Sequence, residues 1–325
     1  MRDGLDGRNR LKWGRITTSV FFDPQGLKRA PNDHFAMTTQ DKGDAVRMAK
    51  EIDAKQVRRI ILQQSKRANV GHIGSCLCVV EILSVLYREV LRIGSPTDPD
   101  RDRFVLSKGH AALALYAVLA LKGWIASDAL GTFCGDDSHF GVHPEPFVPG
   151  IDFASGSLGH GLCLAVGAAL GARLQKSMRR VFCLISDAEC NEGSTWEAAM
   201  FAAQHRLNNL HVILDWNGQQ ALGRTGDVLD LSNLRERWRA FGWDVSEVDG
   251  HCEDALRQVL INPAAGDGRP RIVLAHTRFG KGVSYMEQGV PLTQTNLPVQ
   301  PINWHYLPMS DLEYRIALEE LENSR

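Results

Sequence analysis

The sequence predicts a doubly wound α/β fold: a single, mostly parallel sheet with helices on both faces. Three observations predict it. Short apolar runs such as Val181-Phe-Cys-Leu-Ile-Ser and Leu210-His-Val-Ile-Leu-Asp-Trp alternate with segments whose apolar residues recur at helical spacing. Strands covered on both faces read as continuous apolar runs. One such helical segment, residues 192–205, lies between those two runs, so the strands it joins are parallel and end at the same sheet edge. Glycine-rich turns stand ahead of helices, at residues 71–74, 109 and 156–161.

Taken in order, residues 1–40 mix Arg, Asp, Gly and Pro without periodicity and are expected to form a flexible extension. Met37, followed by a polar lead-in, marks the expected start of the folded part, and residues 41–325 are read as one domain. Ala45, Val46, Ala49, Ile52, Val57, Ile60 and Ile61 form a stripe, which predicts a helix over 41–68. Gly71-His72-Ile73-Gly74 breaks it. Residues 75–91 are apolar nearly all round and predict a buried helix. A short strand over 104–107 is followed by a helix over 111–122. Residues 126–155 carry no period, and a loop of that length in a compact domain is usually functional. A helix of small residues runs to about 175, then strand 181–187, the helix already named, and strand 210–217. The alternation continues through helix 231–241, strand 243–248, helix 253–260 and strand 271–277, with a last helix over 313–322.

Composition narrows the function. The chain has 325 residues, 44% hydrophobic and 23% charged, with a net charge of −1. No basic excess exists to neutralise nucleic-acid phosphates or a membrane surface. The seven cysteines are scattered, and Cys76-Leu-Cys78 has neither zinc nor thioredoxin spacing. They are read as reduced thiols of a cytoplasmic protein. No signal-peptide pattern or membrane-length apolar stretch is visible.

Asp187 and Asn217 each stand at the polar end of an apolar run. Ligands of open α/β sheets bind at that edge. A carboxylate and an amide oxygen there suit a hard cation such as Mg2+, which completes its octahedron with phosphate oxygens. The same residue types also serve as an N-cap and a turn residue. His72, His110 and His143 lie in or beside glycine-containing loops, which suggests a shared polar cleft where imidazoles bind phosphate or hydroxyls, or relay protons.

The sequence resembles the N-terminal, cofactor-diphosphate-binding half of transketolases. The matching residues are Gly71-His72-Ile-Gly74, Arg101-Asp-Arg-Phe-Val-Leu-Ser-Lys-Gly-His110, His143-Pro-Glu145 and Gly156-Ser-Leu-Gly159. They continue with Glu192-Gly193, Glu197-Ala198, Asn217, Phe241-Gly-Trp243, Val248-Asp-Gly-His251 and Gly280-Lys-Gly-Val-Ser284. The resemblance runs from about residue 41 to 322. It implies thiamine diphosphate and a divalent cation, normally Mg2+, held by Asp187, the Asn217 side chain and the Gln219 backbone carbonyl. It assigns His110, Gly156, Ser157, Leu158, Ala188 and Glu189 to cofactor binding together with Asp187 and Asn217. His72, His110, His143 and His305 match active-site histidines. Glu192 and Glu197 match residues that face a partner subunit.

Two departures stand out. Where the family has Gly-Asp-Gly, this chain has Ser186-Asp187-Ala188, and an alanine forced to positive φ costs about 1 kcal/mol. The glutamate that activates the aminopyrimidine belongs to a further domain with no counterpart here. The resemblance therefore implies the N-terminal subunit of a split enzyme, active with a C-terminal transketolase subunit that carries the pyrimidine-binding domain, as an α2β2 heterotetramer. Such an enzyme moves a two-carbon ketol unit from a ketose phosphate to an aldose phosphate. Two alternatives compete with it: another thiamine diphosphate enzyme subunit, of deoxyxylulose-phosphate-synthase or dehydrogenase type, and a non-catalytic scaffold.

Overall fold

The computed structural model describes residues 52–262, 266–288 and 304–324. The expected extension over 1–40 and the start of the first helix lie outside them. The described strands are β1 (Arg103–Leu106), β2 (Val181–Ser186), β3 (Leu210–Trp216), the short hairpin β4 (Gln219–Gln220) and β5 (Gly223–Arg224), β6 (Asp244–Asp249) and β7 (Arg271–His276). The main sheet has the order β1-β2-β3-β7-β6, and every neighbouring pair in it is parallel. The doubly wound α/β expectation is borne out.

The helices are α1 (Ala54–Ala68), α2 (Ile73–Leu77), α3 (Val80–Val85), α4 (Ala112–Leu121), α5 (Gly161–Leu174), α6 (Gly193–Gln204), α7 (Thr225–Val228), α8 (Leu234–Ala240), α9 (Glu253–Ile261), α10 (Ser284–Gln288) and α11 (Asp311–Asn323). The apolar strands divide their side chains between two cores. Phe182, Leu184, Ile213 and Val273 join residues of α1, α3, α4, α9 and α11. Val181, Cys183, Ile185, Val212, Leu214 and Leu274 join residues of α5, α6 and α8. Alternate side chains leave opposite faces of a strand, so the run 181–185 has no polar position to spare.

Two expected helices differ. Within the described part of the helix expected over 41–68, a helix starts at Ala54: Asp53 takes an extended conformation and its side chain accepts from Gln56 N at 3.0 Å, an N-cap hidden inside the apolar stripe. The helix expected over 75–91 is three pieces: α2, α3 and a π-helical turn, Leu86–Val90. The break between α2 and α3 falls at Cys78 and Val79. Val79 sits at φ −105°, ψ 7°, and it opens a pair of β-branched residues that a helix tolerates poorly.

Register places the carboxyl ends of β2, β3 and β7 side by side, with Ser186 opposite Asp215 and Trp216 opposite His276. The residues that leave those ends share one edge.

Candidate active site

Asp187 follows β2 and is fully buried. Its Oδ1 accepts from Ala188 N at 2.9 Å. Its Oδ2 accepts from Gly218 N and from Thr225 Oγ1, both at 2.9 Å. These donors are neutral. Burial and the neighbouring Asp215 carboxylate push the Asp187 carboxyl up to about 7, the mark of a buried anion lacking a counter-charge.

Asp215, also fully buried, ends β3. Burial alone raises its pKa, but the Lys108 ammonium against Oδ2 outweighs that and holds the carboxyl below its usual range. Thr277 Oγ1 and Asn217 Nδ2, the latter at 2.7 Å, donate to the same carboxylate. Since its amide nitrogen faces Asp215, Asn217 presents Oδ1 on the other side, where it accepts from Gln219 N at 2.8 Å. Lys108, Asp215 and Thr277 thereby fix which way the amide points. The residue pattern did not single out Lys108 or Asp215. The available signal was the Asp-Trp-Asn spacing at a strand end, which puts Asp215 and Asn217 on one face.

The histidines converge on the same edge. The His72 and His110 ring centroids are 5.4 Å apart, and those of His110 and His305 are 6.0 Å apart. His143 closes the group: a Cβ built on Gly156 would lie 3.0 Å from its ring. His72 has a left-handed backbone, φ 60°, unusual for a side-chain-bearing residue and common at functional sites. Its N–H donates to His305 O at 2.9 Å, and a Cβ on Gly71 would lie 2.4 Å from Tyr306 O. This contact seats Trp304-His305 against the first glycine turn. Burial, then His143, lowers the His72 pKa to about 4. Burial, then Lys108 and His72, does the same for His305. Burial and the cation of Lys108 lower His110 as well. At neutral pH the three rings are uncharged, and His72 Nδ1 and His305 Nε2 have no hydrogen-bond partner.

Glu189 takes a different place from the other candidates. Fully buried, its carboxylate accepts from Ser107 Oγ, from Gly159 N at 2.9 Å and from Ser186 N at 2.9 Å, while Ser186 Oγ accepts from Glu189 N at 3.3 Å. The last two bonds have the reciprocal form of a capping box, and Ser-x-x-Glu is its sequence signature. Glu189 ties the ends of β1 and β2 to the 156–161 turn. In that turn Ser157 is exposed, while Gly156 and Leu158 are half-buried. Gly161 is required by packing, since a Cβ there would lie 2.3 Å from Ser107 Oγ. Ala188 begins a 3-10 turn and is not among the residues at positive φ, so the alanine carries no left-handed strain.

The donors around Asp187 fit a hard cation. Among the described residues no cluster of three His, Cys, Asp or Glu side chains forms. The donors present are a carboxylate, an amide oxygen and the Gln219 carbonyl, all oxygens. A cation would compensate Asp187, and the unpartnered imidazole nitrogens accept or donate to a bound anion or hydroxyl. A separate groove of 670 Å³, lined by Arg92, Arg173, Lys176, Arg179, Arg180 and His211, shares no residue with this site. Among the described residues no helix is long and apolar enough to cross a membrane.

Comparison with known proteins gives a consistent picture. Residues 49–296 match the family model for the transketolase thiamine diphosphate binding domain. The chain is 38% identical over 252 residues to an apulose-4-phosphate transketolase subunit from Phocaeicola vulgatus, spanning 75% of this chain and 90% of the relative. It is also 38% identical to the 6-deoxy-6-sulfo-D-fructose transketolase subunit of a Clostridium species, spanning 72% and 86%. The crystal structure of Campylobacter jejuni transketolase superposes with a TM-score of 0.67 at 26% identity, over 86% of this chain and 49% of that one.

Proposed function

This chain belongs to the transketolase family, in its thiamine diphosphate binding domain, and from that premise we propose that it is the N-terminal subunit of a split transketolase. Three relatives matched over 86–96% of their own length are themselves named as transketolase subunits. Asp187, the Asn217 Oδ1 and the Gln219 carbonyl hold Mg2+, and the loops bearing Gly156, Ser157, Leu158 and Ala188 cradle the diphosphate. The chemistry that thiamine diphosphate supplies is cleavage beside a ketose carbonyl and transfer of the two-carbon unit to an aldehyde. The chain's own side chains orient and protonate. His72 and His305 enter neutral, each with a ring nitrogen free to hydrogen-bond a sugar hydroxyl or phosphate oxygen, and His110 and His143 stand beside them.

One observation carries the reading: Asp187, Asn217 and all four histidines meet at the carboxyl edge of the sheet, with a buried carboxylate that lacks a counter-charge. The partner supplies the pyrimidine-binding domain and its activating glutamate. Its docking face on this chain is the side of α5 and α6 where Leu164, Met200 and Phe201 are exposed; the two helices adjoin, with Cys163 Sγ 3.6 Å from Ser194 O. The reading includes an α2β2 assembly acting on sugar phosphates, with the subunit names of the relatives as the support for a partner. The scaffold alternative loses its motive, because Ala188 is unstrained.

Assaying ketol transfer from ketose phosphates by the purified chain, alone and mixed with its pyrimidine-domain partner, tests the proposal. Activity is expected only in the mixture. Substantial transfer by the isolated chain would overturn the split arrangement, and turnover of pyruvate without turnover of any ketose would overturn the substrate class.

A further inference from the structure

We propose that Glu81, through Arg58 and His251, is a positioning clamp for the turn that carries Phe279, and through Phe279 for the His305 imidazole. The inference rests on the reading of His305 as an active-site group, and it concerns residues which that reading leaves without a role.

Glu81 lies in α3 and is buried. Its two carboxylate oxygens serve different partners: Oε1 accepts from Arg58 NH2 at 2.6 Å, and Oε2 faces His251 Nδ1 at 3.1 Å. Those partners grip opposite ends of one turn. Arg58 Nε donates to Lys281 O at 3.0 Å, and Arg278 N donates to His251 Nε2 at 2.9 Å. Because Nε2 accepts, the ring proton resides on Nδ1 and points at Glu81, so the backbone bond dictates the tautomer. Burial by itself raises the Glu81 pKa, but His251 and Arg58 outweigh it and keep the carboxylate charged.

The turn has little room to move. Gly280 N donates to Gly74 O at 3.1 Å. A Cβ on Gly74 would lie 2.1 Å from the Phe279 ring, and one on Gly282 would lie 2.9 Å from Arg58 Nε. Phe279, 4% exposed, stacks on His305 with centroids 4.8 Å apart and planes at 28°. His305 Nε2 is unpartnered, and the ring follows Trp304, itself at positive φ. The Phe279 face shares the task of holding His305 with the His72–His305 backbone bond, the Gln219 backbone and the neighbouring His110 and Tyr306 rings. Glu81 reaches no reacting atom in this geometry. Its influence passes through two side chains and a turn.

The test combines exchange with kinetics. In Glu81→Gln, amide hydrogen exchange of Arg278 and Gly280 is expected to quicken at least roughly tenfold, while the Gly218 amide beside Asp187 stays unchanged. In the enzyme assembled with its partner, kcat is expected to fall roughly tenfold, with thiamine diphosphate affinity unchanged. Phe279→Ala should lower kcat comparably, and the double variant should be no worse than the poorer single one, since both act on the same link. His251→Ala, which frees the Arg278 amide without stranding Arg58, should repeat the pattern if Glu81→Gln does not fold. Unaltered exchange at the turn, or losses that multiply in the double variant, would overturn the clamp. An assembled wild-type enzyme without ketol transfer would instead defeat the functional reading, and exchange would still decide the clamp.

Discussion

Two buried aspartates at opposite ends of the same sheet meet opposite fates. Asp102, before β1 at the amino edge, is 1% exposed. It accepts from Arg92 N at 2.9 Å and Arg92 NH2 at 2.9 Å, from Arg180 N at 2.9 Å and from Arg180 NH2 at 2.6 Å. Burial would raise its pKa, but these arginines win and hold it low. Asp187, at the carboxyl edge, receives only neutral donors and faces another carboxylate. Asp102 has its counter-charges in place, and Asp187 does not. That deficit is what a functional edge looks like before its ligand arrives, and it comes at the expense of stability.

The sharpest way to break this comparison is to remove each carboxylate in turn. Asp102→Ala strands Arg180 and Arg92 and is expected to cost roughly 3 kcal/mol in urea unfolding, with thiamine diphosphate affinity intact. Asp187→Ala should do the reverse, lowering affinity for thiamine diphosphate with Mg2+ roughly 100-fold or more in calorimetric titration while leaving the stability of the ligand-free chain equal or higher. Equal losses of stability at both ends would erase the distinction.

Acid sharpens it further. His72 has a folded pKa of about 4, lowered from 6.5. Its neutral form is the one the fold favours, so its contribution is complete above the unfolded value and is lost as pH falls from about 6.5 to about 4, at up to about 1.4 kcal/mol per pH unit. His211, at the amino edge, titrates in the same window. Asp102 is a lowered carboxyl, so its stabilisation persists until pH falls below about 3.8. His72→Gln is therefore expected to flatten the stability–pH curve between pH 6.5 and 4, and Asp102→Asn only below that range. An unchanged slope in His72→Gln would refute the assignment.

The smallest expected effect concerns the link between strand and turn. Ser186→Ala removes one arm of the reciprocal Ser186–Glu189 pair and should cost about 1 kcal/mol, read as a lower thermal midpoint with cofactor affinity unaltered. A tenfold loss of affinity would show that the Ser186 hydroxyl itself serves the cradle formed by this turn rather than only bracing it.

Much of this was legible in the residues. Apolar runs covered on both faces gave the parallel sheet, and Asp187, Asn217, His72, His110 and His143 were nameable because strand ends and glycine turns concentrate at one edge; His305 was nameable only through the family resemblance. What stayed hidden depended on tertiary partners. Lys108 and Asp215 look like ordinary loop and strand residues until the fold brings together positions 107 residues apart. Asp53 escaped notice because an apolar stripe continues through it. The Glu81–Arg58–His251 link joins three elements and leaves no local period. Ser186-x-x-Glu189 did carry a readable signal, a capping signature obscured by the better-known role of the aspartate between them.

Cys78 gives the carboxyl edge a built-in reporter. Its sulfur lies 3.2 Å from Asp215 Oδ2 and 3.5 Å from Lys108 Nζ, wholly buried, and burial followed by the Asp215 charge keeps the thiol protonated. Alkylation there requires the lysine–aspartate pair to part and admit solvent. The labelling rate of this one sulfur thus clocks how often the floor beneath Asn217 opens, without any added probe.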